Sequence, residues 1–85
     1  MTYVFSQHSL EQMRNRGIIK ETVEKILKNP DQIIKHEDLT IFQGIEKSDQ
    51  KVFLIRIFMN MKKSPNVVVT VYKTSKIDKY YESKI

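Results

Sequence analysis

KVFLIRIFMN, Lys51 to Asn60, is the stretch that decides the fold. A period of two divides it into two faces. Phe53, Ile55, Ile57 and Met59 make a row without a polar group, while Val52, Leu54 and Phe58 share theirs with Arg56. A strand with one fully apolar face needs another layer packed on it, and the face that carries a guanidinium is left nearer to water. After the loop Ser64, Pro65, Asn66, the run VVVTVYK (67–73) is a second strand, with Val67, Val69 and Val71 alternating against Asn66, Val68, Thr70 and Tyr72. Upstream, residues 32–36 and 39–45 fit shorter strands, and residues 46–50 fit the polar turn between the second of these and KVFLIRIFMN.

Before Pro30 the period is helical. Residues 5–18, FSQHSLEQMRNRGI, carry both end signals of a helix. The Ser6 hydroxyl can accept from a free first-turn N–H, and Gly17 can adopt the left-handed conformation that ends a helix. A second helix follows in KETVEKILKNP, where Val23, Ile26 and Leu27 share a face and Glu21–Lys25 and Glu24–Lys28 are favourable i,i+4 pairs. Proline steers Asn29 out of the helical region and stops it. Two helices followed by strands with short connections predict an α+β domain over residues 1–85, with two N-terminal helices packed on an antiparallel sheet of three to four strands. The helices are expected to bring Met13, Val23, Ile26 and Leu27 over Phe53, Ile55, Ile57, Val67, Val69 and Val71. Arg56, Thr70 and Tyr72 then meet on the other face, where an arginine and two hydroxyls suit an oxyanion or a phosphate.

Composition narrows the partners. With 85 residues the chain has room for one small core, and with no cysteine it has neither disulfides nor thiolate metal ligands. That fits a cytoplasmic location. No apolar run approaches the ~20 residues of a membrane span, and the N-terminus lacks the basic start and apolar run of a signal peptide. Fifteen Lys and Arg against ten Asp and Glu give a net charge of +5, which points to an anionic partner: RNA, DNA or an acidic protein. His8 and His36 have no metal-ligand spacing, and two glycines make no phosphate-cradling loop, so neither metal nor cofactor is expected. His8, Gln12 and Arg16, at i, i+4 and i+8, form a polar stripe beside the apolar side of the first helix. The tail from Thr74 onward interleaves Lys76 and Lys79 with Tyr80 and Tyr81. It can contact phosphates and stack on bases, or pack Ile77 and a tyrosine on the sheet.

His8, Met13, Arg16-Gly17-Ile18, Asn29-Pro30, Val69-Thr70-Val71-Tyr72 and Thr74-Ser75-Lys76-Ile77 through Lys79-Tyr80 resemble the domain of unknown function 4258. That family opens with H-A-x-x-R-M-x-x-R-G-I and closes with V-T-V-Y-x-T-S-K-I-x-K-Y, so the resemblance covers nearly the whole chain. Ser9 stands where the family has alanine, and Gln12 where it has arginine, which removes one phosphate-pairing charge. The resemblance implies a fold like RelE-type and barnase-like ribonuclease toxins. It also implies a metal-independent endoribonuclease acting on RNA, ribosome-associated mRNA included, with an acidic antitoxin as protein partner. In that chemistry His8 is the acid–base candidate, since its ordinary pKa of ~6.5 serves both directions near neutrality. Arg16 and Arg56 stabilise phosphate charge, and Tyr72 orients the phosphate or donates a proton. Gln12, Thr70, Lys76 and Lys79 complete the RNA contacts. The alternatives are a non-catalytic nucleic-acid-binding module and a protein-interaction domain. A helix-turn-helix is disfavoured because the second helix offers Lys20, Lys25 and Lys28 but no Asn, Gln or Arg suited to reading bases.

Overall fold

In the computed structural model, which describes residues 1–82, KVFLIRIFMN is the middle strand of a five-stranded sheet. The elements in chain order are β1 (Tyr3–Phe5), α1 (Gln7–Arg16), α2 (Lys20–Lys28), β2 (Gln32–His36), β3 (Leu39–Ser48), β4 (Lys51–Asn60), β5 (Asn66–Thr74) and α3 (Ile77–Tyr80). The strand order is β1-β5-β4-β3-β2. β2 through β5 pair antiparallel, and β1 pairs with β5 in parallel, Phe5 opposite Val68. The end of the basic, aromatic tail, residues 83–85, lies outside the described residues.

The α+β class holds, but the expected architecture does not: the sheet is five-stranded and mixed, with three short helices, where two helices on three to four antiparallel strands were predicted. The difference has two sources. β1 is three residues long, too short to show a period, and its partner lies more than sixty positions away. α3 is a single turn of helix that local pattern leaves open between packing and RNA contact. The turn before β4 also moves: β3 runs on to Ser48, and only Asp49 and Gln50 join it to β4, with Asp49 at φ 56.

The two helix ends form as their residues require. The Ser9 N–H donates to Ser6 Oγ at 3.0 Å, and Gly17 closes α1 at φ 65, with the Ile18 N–H reaching back to the Met13 carbonyl. Ser9 is fully buried and its hydroxyl donates to the Ser6 carbonyl at 2.8 Å, so this residue carries its own acceptor into the core. α2 ends before Pro30, with the Asn29 N–H still bonded to the Lys25 carbonyl.

Both helices cover one sheet face, where Met13, Val23, Ile26 and Leu27 close over Ile55, Ile57 and Val71. α2 comes so close to β3 that a Cβ on Gly44 would sit 3.1 Å from Ile26 Cγ1. Three expected core residues are displaced: Phe53 is only half-buried, with Lys73 Nζ over its ring, and two valines move with a bulge. It lets Phe58 pair with Thr70 but Met59 with Val68, leaving Val69 as the extra residue of β5. The bulge reverses the parity of the strand below it. Val68 becomes the buried residue, and Val67 and Val69 are only half-buried. Among the described residues, no helix is long and apolar enough to cross a membrane.

Candidate functional site

The face away from α1 and α2 carries a polar row that crosses four strands. Gln32, Gln43, Arg56 and Tyr72 stand opposite one another on β2, β3, β4 and β5. Register brings them together, and hydrogen bonds then join them end to end. Arg56 Nε donates to Gln43 Oε1 at 2.9 Å, Arg56 Nη1 donates to the Tyr72 hydroxyl at 3.1 Å, and Gln43 Nε2 donates to Gln32 Oε1 at 2.7 Å. Gln43 is fully buried, so its amide depends on these partners.

The C-terminal segment closes over the row. Gln43 Nε2 also donates to the Tyr80 carbonyl at 3.1 Å, and Gln32 exchanges bonds with the backbone of Glu82, accepting from its N–H at 3.0 Å and donating to its carbonyl. This places the Tyr80 ring over Arg56, whose guanidinium carbon lies 4.5 Å from the ring centroid. The Phe58 and Tyr72 rings are at 5.3 and 5.7 Å, and they stack on each other. Arg56 is therefore held in its plane by Gln43 and Tyr72 and walled by three aromatic faces. Its Nη2 has no protein acceptor among the described residues. No buried side-chain nitrogen there lacks a partner, so this edge of the guanidinium meets solvent. A fixed cation with an open edge is the kind of group that can pair with an anion.

The two tyrosines differ in acidity. Burial raises the Tyr72 pKa, so the phenol is a retained proton donor at neutral pH. The Tyr80 pKa is lowered, chiefly by the Tyr72 hydroxyl beside it and further by Lys79.

Of the residues selected from sequence, the structure joins Arg56 and Tyr72 directly. Thr70 stands on the same face, paired with Phe58, and Lys79 lines the groove beside Arg56. Lys76 is exposed at the start of α3. The stripe on α1 meets the edge of β5. Gln12 Oε1 accepts from the Val71 N–H at 3.0 Å, satisfying a strand donor that β1 is too short to reach. His8 and Arg16, one turn to either side of Gln12, are exposed, and among the described residues neither bonds to Arg56 or Tyr72. Sequence reasoning missed Gln32 and Gln43, and left Tyr80 open between stacking on bases and packing on the sheet. The one available signal was a glutamine at an inward position of an otherwise apolar strand, LTIFQGI. Among the described residues no three His, Asp or Glu side chains are grouped to hold a metal.

A family model described as Domain of unknown function (DUF4258) matches residues 5–73, from the end of β1 to the penultimate residue of β5. No curated protein and no solved structure matches the chain.

Proposed function

This chain belongs to the DUF4258 family, and on that footing we propose that it is a metal-independent endoribonuclease, the toxin of a toxin–antitoxin pair. The observation that carries the reading is Arg56, fixed by Gln43 and Tyr72 with one edge open to solvent on a chain of net charge +5. The end motifs are those of the DUF4258 family, and the likeness of that family to RelE-type ribonucleases is what suggests the reaction class. A ribose 2′-oxygen bonds to the adjacent phosphorus, the bond from phosphorus to the 5′-oxygen breaks, and a 2′,3′-cyclic phosphate remains. The 2′-OH proton passes to a base and another proton reaches the departing 5′-oxygen. Arg56 stabilises the charge on the phosphorane oxygens, and Tyr72, whose hydroxyl accepts from Arg56 and keeps its own proton, is the donor candidate beside it. His8 and Arg16, exposed on α1 beside β5, are the remaining acid–base and cationic candidates.

The test is purified, antitoxin-free protein incubated with RNA in EDTA, with and without ribosomes, followed by analysis of the new ends. Cyclic phosphate ends are expected, and Arg56→Ala should slow their formation by about 3 kcal/mol of lost charge stabilisation, on the order of a hundredfold or more. Intact RNA in both conditions rejects the nuclease.

One observation favours a second reading, a non-catalytic RNA-binding module. At the position where the family carries arginine, Gln12 spends its side-chain oxygen on the backbone of β5. That module loses affinity with added salt for each cation removed, and His8→Ala leaves it unchanged.

A further inference from the structure

Next to the polar row runs an apolar one on the same face: Ile34, Ile41 and Phe58 are paired across β2, β3 and β4. This row is the floor of a groove of about 510 Å³ that Arg56 also lines. The α3 side, with Lys79, Tyr80 and Tyr81, forms its wall. The rest of the lining is His36 and Glu82, and an apolar floor with aromatic rings and the cations Arg56 and Lys79 suits an amphipathic anion: a flat apolar body with a phosphate at the Arg56 end. Nothing in the proposed cleavage chemistry calls for this floor, since a phosphate alone would be served by Arg56 and Tyr72.

We infer that the groove is a base subsite, taking an unstacked nucleobase on Ile34, Ile41 and Phe58 while its phosphate sits on the open edge of Arg56. The inference rests on the reading of Arg56 as a phosphate anchor and adds the substrate class, single-stranded RNA. A base in a duplex stays in its stack and cannot enter, whereas an unpaired one can lie against an apolar and aromatic surface.

The test titrates the full chain with AMP, ribose 5-phosphate and inorganic phosphate at one ionic strength by calorimetry. Single-stranded oligoadenylate is then compared with the same strand paired to oligouridylate. AMP should bind about tenfold or more tightly than ribose 5-phosphate, the scale of one stacked base. Ile34→Ser changes a half-buried residue of the edge strand β2. It should reduce that advantage severalfold, leaving the phosphate affinity and the melting temperature near those of the parent. The single strand should bind more tightly than the duplex. Equal affinity for AMP and ribose 5-phosphate, no AMP binding at millimolar concentration, or a preference for duplex overturns the subsite. An AMP preference in a protein that never cleaves RNA upholds the subsite and rejects the nuclease; cleavage without an AMP preference does the reverse.

Discussion

Replacing Gln43 by leucine tests whether the polar row acts as one unit. The side chain is fully buried and makes three bonds, one accepted from the Arg56 guanidinium and two donated, to Gln32 and to the Tyr80 carbonyl. A neutral buried bond contributes about 1 kcal/mol net and one to a charged group about 1.5–3 kcal/mol. The loss is therefore about 4 kcal/mol, offset by about 1–2 kcal/mol from the apolar surface leucine adds. The net cost is about 2–3 kcal/mol, against a total stability of about 4–13 kcal/mol for a chain this long. In urea, with a slope near 1 kcal/mol per molar, the unfolding midpoint should fall by about 2–3 M. Removing both ends of the central bond supplies the control. In Gln43→Leu with Arg56→Met no buried charge is left without its acceptor, so the double variant should be more stable than the sum of the singles by about 1–3 kcal/mol. Additivity within about 0.3 kcal/mol, or a Gln43→Leu midpoint within about 0.5 M of the parent, would refute the argument that these side chains form a coupled network.

Three further outcomes follow from other parts of the molecule. Gly44→Ala should cost about 1 kcal/mol in thermal unfolding, since the new methyl meets the branched Ile26 side chain at 3.1 and 3.3 Å; a raised melting temperature contradicts this. Ser6→Ala should cost about 1–2 kcal/mol, because the hydroxyl both caps α1 through Ser9 and donates to the Val69 carbonyl at the bulge. Ultraviolet titration should find Tyr80 ionising below pH ~10 and Tyr72 above it. Tyr72 contributes stability that is complete below the unfolded pKa and lost as pH climbs through the higher folded value, whereas the depressed Tyr80 gains stability as pH rises from its folded pKa toward ~10. Tyr80→Phe should remove the gain and leave the loss; identical ionisation of both phenols rejects the assignment.

The elements whose signals are local were legible in the sequence. The alternation in KVFLIRIFMN, the cap at Ser6, the left-handed Gly17 and the stop at Asn29-Pro30 each act within a few residues, and each is present in the structure. Arg56 and Tyr72 were placed on one face by parity, and their pairing made the bond. What escaped depends on distant partners. Three residues of β1 have no period, and their strand character comes from the Asn66–Val68 edge they meet. The bulge at Val69 leaves VVV looking regular, since valine suits both faces, yet it decides which valine is buried. Gln43 resembled any polar strand residue until the register set it between Gln32 and Arg56. The role of Tyr80 depends on where a single helical turn folds back, which local propensity does not set.

The parallel pairing of β1 with β5 also bears on the order in which the chain is made. β5 follows the other four described strands in the chain, yet it lies between β1 and β4. A nascent chain lacking residues 66–68 has no partner for β1, and Tyr3 and Phe5, which pack on the core in the finished protein, have nowhere to go. β4 meanwhile presents a long unpaired edge rich in Ile, Phe and Leu, the kind of edge that recruits other chains. Contacts between the two ends of a sequence also make folding slow, because the loop must close before it is rewarded. The sheet can therefore close only once β5 is available, and chains stalled within β5 are the ones that should aggregate.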